Sequence, residues 1–412
     1  MERVILHSDL NACFASIECM LEPSLKGKPV AVGGSEEMRH GIILAKSQEA
    51  KICGVKTGEP LWQARQKCPN LIIIPPHYEQ YMKYSRLAHD IYLRYTNLVE
   101  PFGLDECWLD VTANTKFFGS GYEIAEEIRE TIKQELGLTV SIGVSFNKIF
   151  AKLGSDMKKP DATTCIGYGE FKEKVWPLPA SDLLGVGRST ATTLERRGII
   201  TIGDIAKSSR EYLKRILGKC GEELWVFANG LDSSRVKNYD YVVPAKSIGH
   251  GITCSSDLVS SDEVWKVMLE LSQDVSKRLK LSKLSACAVQ IGIRDNQLVT
   301  KQYQCPVPIA TQSAIEIARA GIALFNANYK WNYDIRSVTV RAIDLQPEDS
   351  PCQLDLFCNR EKHERQEKID NTVIDIRKRF GEKSIFNCCL IEETKIPHHK
   401  PDHITLPSPM FK

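Results

Sequence analysis

Asp105 and Glu106 stand side by side in PFGLDECWLD (101–110), a stretch that otherwise reads as buried strand. Phe102, Leu104, Trp108 and Leu109 are apolar or aromatic, and Val99 and Val111 bracket them. Ionised carboxylates are costly to bury unless they are paired or bind metal. The pair therefore faces solvent at a hairpin, or a positive group sits against it. A third acid, Asp9, ends the apolar stretch that opens the chain. If that strand and a strand over 104–111 are neighbours in one sheet, Asp9, Asp105 and Glu106 meet. Three converging carboxylates repel one another, and a divalent cation relieves the repulsion. Hard oxygen ligands with no His or Cys expected nearby favour Mg²⁺ or Mn²⁺ over zinc. Two such ions can flank a phosphoryl transfer, one at the attacking hydroxyl and one at the leaving pyrophosphate. A solvated Asp-Glu at a turn is the commoner origin of such a dipeptide, so spacing alone does not decide.

The elements that must position these acids read as follows. ERVILHSDL is a strand, 10–21 is a helix ending near Glu22-Pro23, and PVAVGG and GIILAKS are short strands. Residues 78–97 carry the pattern of a long amphipathic helix. Ile124, Ile128, Ile132 and Leu136 recur at helical spacing, with Gly137 as the stop. Val140, Ile142 and Val144 alternate as a half-buried strand. The expected domain is an α+β sheet with helices on one face, interrupted by an excursion over 24–76. Residues 180–230 read as helical pieces broken by glycines. Residues 246–345 restart as strand, helix, strand, strand, helix, strand, with Val264, Met268, Leu271, Val275 and Leu279 as one helical stripe and Cys287, Val289, Ile291 and Ile293 alternating along a strand. Beyond 346 the chain turns polar, with one helix over about 361–380.

The 412 residues require several domains. Composition is that of an ordinary globular protein, 42% hydrophobic and 26% charged. No secretory leader and no membrane-spanning run is visible, so a cytoplasmic protein with no membrane partner is expected. Fourteen cysteines without a single C-x-x-C read as reduced thiols. A net charge of +2 neither announces nor excludes a nucleic-acid partner.

DLNACFASIE (9–18), EPFGLDECWLDVT (100–112), SIGVSFNKIFAKLGSDMKKPD (141–161), LLGVGRSTATTLERRGIITIGDIA (183–206) and KSIGHG (246–251) stand in this order. Together they resemble the Y-family DNA polymerases, the translesion enzymes of the bacterial damage response, in their UmuC/DinB-like branch. The resemblance implies a multidomain α+β right hand. Its parts are a ferredoxin-like palm (1–23 and 77–165), small fingers (24–76), a helical thumb (166–231), a linker (232–245), an α+β little finger (246–345) and a tail (346–412). It implies a template-directed polymerase that adds deoxynucleotides to a primer and uses two Mg²⁺ ions, with Mn²⁺ a substitute. Because every segment is assigned to one of these parts and none reads as an exonuclease domain, no proofreading is expected. By resemblance, Asp9, Asp105 and Glu106 are catalytic metal-binding carboxylates and the Leu10 carbonyl is a further ligand. The Cys13 and Phe14 amides cradle the triphosphate at a helix N-terminus. The Phe14 ring is the gate against a ribose 2′-OH, and Lys159 contacts the triphosphate.

Three departures from the family pattern stand out. Gly103-Leu104 replaces the usual Ser-Ile before the acid pair. Gln48 and Lys51 stand where a Tyr and an Arg on the triphosphate are usual, and a lysine offers charge but no bidentate fork. Asn11 replaces the Asp of many relatives and is not expected to be a ligand. For DNA, Gly185 and Gly187 of a helix–hairpin–helix let the backbone approach phosphate. Residues 166–241 hold 12 Lys/Arg against 10 Asp/Glu, and 242–345 hold 12 against 9, enough for a sequence-independent grip. Lys246, Arg336 and Arg341 are the expected phosphate contacts of the last domain. In the tail, QLDLF resembles the peptide by which bacterial replication proteins bind the sliding clamp, with Gln353, Leu354, Leu356 and Phe357 as contacts. Two rival classes are a catalytically dead scaffold, which would have lost its acids, and a single-strand-binding module, which leaves the acids unexplained.

Overall fold

The computed structural model describes residues 3–35, 39, 41–351, 360–381, 384–391 and 394–397. The described residues of Met1–Gly34 and Ile42–Val243 form one compact unit, and those of Ser35–Gly41 and Pro244–Asp402 a second.

The first unit is built on a five-stranded sheet. Its order is Val99–Pro101, Glu106–Asp110, Ile5–Leu10, Val140–Ser145 and Thr163–Ile166. The first four strands run antiparallel to their neighbours, and the last pairs parallel with Val140–Ser145. On one face Leu6, Leu10, Leu109, Val140 and Ile142 meet Ile124, Ile128 and Ile132 of the helix Gly121–Leu136. The helix Tyr78–Tyr92 covers the same face, and the Ser8 hydroxyl meets the Tyr92 hydroxyl at 2.9 Å. That helix is shorter than the periodicity over 78–97 suggests.

Helices were expected on one face only, yet the other face is covered as well. The helix Lys148–Met157 lies directly on it, and Ile5, Trp108 and Ala151 form a second small core there. Gly143 makes the close approach possible: a Cβ at this position would stand 1.9 Å from the Ala151 carbonyl oxygen. For this reason Val140–Ser145 is buried throughout, not half-buried.

The excursion over 24–76 has its own three-stranded sheet, ordered Ile43–Lys46, Val30–Gly33, Ile72–Ile74, with Ala31, Ile43, Ala50, Val55, Leu61 and Ala64 at its centre. Residues 183–228 contribute the helices Arg188–Glu195, Ile202–Lys207, Arg210–Leu217 and Lys219–Ala228 around Leu194, Ile202, Ile205, Leu213 and Leu224. The segment after them, expected as a free linker over 232–245, is fastened to the sheet for its first half. Val236 is buried beside Ile5 and Trp108, Lys237 N donates to Glu100 Oε2 (3.0 Å), and Tyr239 N donates to the Asn97 carbonyl (3.1 Å).

The second unit is a four-stranded antiparallel sheet, ordered Thr300–Thr311, Leu284–Asp295, Ile335–Pro347, Ser247–Leu258. The helices Ser261–Leu281 and Ala314–Asn328 pack on one face against Val289, Ile291, Ile293, Val338 and Val340. Cys287 does not continue the buried alternation. A register shift between Ala286 and Ala288 puts it out of phase, and Ala286 and Ala288 are buried in its place. The tail helix Arg360–Phe380 joins this unit through His363, whose Nδ1 is 2.9 Å from Glu316 Oε2. Further on, Lys395 pairs with Glu263 at 2.8 Å. The clamp-like residues Gln353, Leu354, Leu356 and Phe357 lie outside the described residues.

Candidate active site

Asp9 and Glu106 are direct cross-strand partners. Strand alternation sends Ile5, His7 and Asp9 to one face, and His7 and Asp9 oppose Trp108 and Glu106 there, on the side covered by the helix Lys148–Met157. Asp105 lies just before its strand, in a hairpin closed by Phe102 N donating to the Glu106 carbonyl (2.8 Å). Leu10 N donates to the Asp105 carbonyl at 2.9 Å, which ties the hairpin to the end of the first strand. Gly103 has φ 95°, a backbone that a side chain strains. The Gly103-Leu104 departure therefore has a local cause: this hairpin turns through a left-handed residue, and Leu104 is buried beneath it.

The positive groups sought against the acids are two lysines. Lys152 Nζ lies 2.5 Å from Glu106 Oε2. Lys159 Nζ lies 2.6 Å from Asp9 Oδ2 and 2.8 Å from Asp156 Oδ1. Lys152 is not among the residues that the sequence singles out. Its signal is its spacing, one helical turn from Lys148 on a helix whose inner face meets the sheet. His7 is a second such residue: its Nε2 is 3.4 Å from Glu106 Oε2, and its Nδ1 meets the Ser155 hydroxyl at 2.8 Å. The expectation of an all-oxygen surrounding is corrected to that extent.

Burial sets the electrostatics. It pushes the Asp9 carboxyl up to about 7 in spite of Lys159. It also raises Asp105, with the Glu106 charge adding to the effect. Burial acts on Glu106 in the same sense, but the His7 ring and the Lys152 ammonium outweigh it and hold this acid down at about 2. Burial lowers His7 to about 4, so its ring is neutral at pH 7. Among the described residues, no three His, Cys, Asp or Glu side chains are arranged as a ready ligand cluster. The acids share one corner, with ammonium groups neutralising two of them. An acid-rich corner of hard oxygen donors, short of positive charge at Asp105, fits a divalent cation.

The helix Cys13–Leu21 starts beside this corner, after Ala12 turns the chain through φ 47°. Its first helical bond is Ser16 N to the Ala12 carbonyl, so the Cys13 and Phe14 amides have no acceptor within the helix. The half-buried Phe14 ring stacks on Tyr81 (4.2 Å between centroids, 8° between planes), and Tyr78 meets it edge-on at 6.1 Å. The Tyr81 hydroxyl donates to buried Glu18. Asn11 is spent elsewhere: its Nδ2 donates to the Ser141 hydroxyl (3.0 Å) and its Oδ1 accepts from Asp161 N (2.8 Å). Gln48 and Lys51 are exposed on the short helix Gln48–Ile52, capped by the Ser47 hydroxyl.

Comparison with known proteins decides the family. Residues 8–156 match the impB/mucB/samB family, 245–356 match its C-terminal domain, and 181–232 match the thumb domain described for DNA polymerase-iota. DNA polymerase IV of Acetivibrio thermocellus is 47% identical over 393 residues, 95% of this chain and 98% of that protein. DNA polymerase IV of Bacillus velezensis is 36% identical over 95% of each chain. The chain belongs to the impB/mucB/samB family, the Y-family DNA polymerases. Its fold is also that of a solved Y-family DNA polymerase chimera, Dbh-Dpo4(243-245)-Dbh, with a TM-score of 0.73 at 23% identity, covering 83% of this chain and 98% of the other. The chain is a DNA-directed DNA polymerase of the translesion family, and the family as a whole depends on divalent metal.

Two further surfaces carry the residues expected at the DNA backbone. Gly185 (φ 93°) and Gly187 are exposed, and Gly187 caps the helix Arg188–Glu195. In the second unit, Arg341, Thr339 and Ser337 oppose Gln290, Gly292 and Arg294, which in turn oppose Gln304, Gln302 and Thr300. These residues share the sheet face away from the helices, a polar surface with Arg341 in one outer row, Arg294 in the other and Gly292 between them. Arg294 was missing from the expected contacts, although the alternation with Ile291 and Ile293 puts it there. Lys246 is exposed one residue before its strand begins, and Arg336 sits in the register shift between Ile335 and Ser337, out of step with Arg341.

Proposed function

We propose that the corner of Asp9, Asp105 and Glu106 is where this polymerase joins a deoxynucleotide to a primer 3′-OH. The observation that carries this reading is the register of Asp9 opposite Glu106, with Asp105 tied to Leu10 beside them. Asp9, Asp105, Glu106 and the Leu10 carbonyl would hold two Mg²⁺ ions, or Mn²⁺, which supply charge to the triphosphate and acidify the attacking hydroxyl. The Cys13 and Phe14 amides donate to phosphate oxygens at the helix start. The Phe14 ring, fixed by Tyr81, presents an edge to the sugar and excludes a 2′-OH by volume. Lys159 exchanges carboxylate oxygens for phosphate oxygens, and Gln48 and Lys51 approach the triphosphate from the fingers. The Gly185 and Gly187 amides and Arg341, with Lys246 and Arg336, hold the DNA backbone without reading sequence. Residues 353–357 bind the sliding clamp.

Primer extension tests the reading. With Mg²⁺ and four deoxynucleotides the protein extends a primer opposite a template, and a chelator stops extension while DNA stays bound. DNA binding without extension under these conditions would support the non-catalytic alternatives.

A further inference from the structure

Lys159 reaches Asp9 from an exposed turn just beyond the helix Lys148–Met157, and that turn is fastened two residues further on. Asp161 has left-handed backbone (φ 55°) and partners from two elements. Its N–H donates to Asn11 Oδ1 (2.8 Å), its Oδ1 accepts from Arg129 Nη1 (2.7 Å), and its Oδ2 accepts from Lys133 Nζ (2.9 Å). Arg129 and Lys133 stand one turn apart on the helix Gly121–Leu136, beside the core residues Ile128 and Ile132. The remaining guanidinium nitrogens of Arg129 are held by Glu126 (2.7 and 3.2 Å), so the fork is fixed before it meets Asp161. Asn11 follows Asp9 by two residues and is itself pinned by Ser141. The turn bearing Lys159 is thereby bound both to the chain that bears Asp9 and to the helix behind it.

A lysine carries a compact charge on a flexible four-carbon stem, so its side chain supplies little geometric definition. Definition must come from where its Cα is held. We propose that Asn11, Asp161, Arg129 and Lys133 are positioning residues that keep the Lys159 ammonium within reach of the incoming triphosphate. They act on nucleotide affinity and leave the DNA grip untouched. The proposal rests on the reading of Lys159 as a phosphate ligand. It also accounts for an amide at position 11. Neutral Asn11 can donate to Ser141 and accept from Asp161 together, whereas an ionised carboxylate offers only acceptors.

The test is a double-mutant cycle on the full-length protein, read as deoxynucleotide KM, kcat and primer-template Kd. Asp161→Ala raises KM roughly three- to tenfold, the size of coupling between contacting groups, with Kd for DNA unchanged. Asp161→Asn, which tolerates left-handed backbone and keeps an acceptor, recovers most of the loss. In a Lys159→Ala background Asp161→Ala adds nothing. Lys133→Met, an exposed change that leaves the Arg129 pair, gives a smaller effect of the same kind and serves if Asp161→Ala does not fold. Losses that multiply with those of Lys159→Ala, or an unchanged KM in Asp161→Ala and Lys133→Met while Lys159→Ala raises it, would overturn the positioning role alone. A wild-type KM in Lys159→Ala would overturn the reading of Lys159 and the proposal with it.

Discussion

At the scale of single residues, the site depends on which atoms are already engaged. Phe14 is the clearest case, because its ring has two jobs. It stacks on Tyr81, and its free edge is the proposed barrier to a ribose. Phe14→Ala removes both. Ribonucleotide incorporation should rise relative to deoxyribonucleotide by roughly tenfold or more, about 1–3 kcal/mol of discrimination, in single-nucleotide competition assays. The melting temperature should also fall slightly, as the Tyr81 face is uncovered. Unchanged sugar discrimination with a lowered melting temperature would make Phe14 a packing residue only. Asp9, Asp105 and Glu106 could be singled out in the sequence as acids set in apolar strands, whereas Phe14 and Lys159 stood out only through the ordered family motifs. Lys152, His7 and Arg294 did not stand out. Their roles depend on which helix lies on which face and on strand register, and one chain's residue types do not specify either.

At the scale of elements, the helix Lys148–Met157 is the part that makes the acid pair tolerable. It brings Lys152 to Glu106 and leads to Lys159, and it can do so only because Gly143 has no side chain. A Cβ at Gly143 would meet two rigid backbone atoms, the Ala151 carbonyl oxygen at 1.9 Å and Ser155 N at 2.5 Å. Gly143→Ala should therefore cost about 1–3 kcal/mol or more by overpacking, seen as a lower denaturant midpoint, with a loss of extension larger than the stability loss explains. Gly169→Ala, where a Cβ meets nothing within 4 Å, should be close to neutral and serves as the control. A Gly143→Ala protein as stable and active as wild type would mean that the helix is not seated by this contact. The order of elements was readable from periodicity and breakers, as the helix Gly121–Leu136 and its Gly137 stop illustrate. The second covered face was not, because Val140, Ile142 and Val144 fit a strand with one solvated side equally well.

At the scale of the whole molecule, the tail is the part for which a partner, the sliding clamp, is proposed. The helix Arg360–Phe380 is joined to Glu316 through His363. A clamp bound to the tail would raise the effective concentration of polymerase at the primer end, to ~mM for a short tether. Replacing Leu356 and Phe357 by alanine should abolish clamp-stimulated extension and leave clamp-free extension unchanged. Equal stimulation of mutant and wild type would make the match fortuitous.

The central claim is that Asp9, Asp105 and Glu106 hold the divalent cations of the polymerase reaction. Its most direct test is single-turnover incorporation of one deoxynucleotide by Asp105→Ala and Glu106→Ala in Mg²⁺, with primer-template affinity measured on the same proteins. Incorporation should fall by several orders of magnitude with DNA affinity close to wild type, because in this reading the acids hold the cations while backbone amides and basic side chains elsewhere hold the DNA. Incorporation near the wild-type rate in either variant would contradict it.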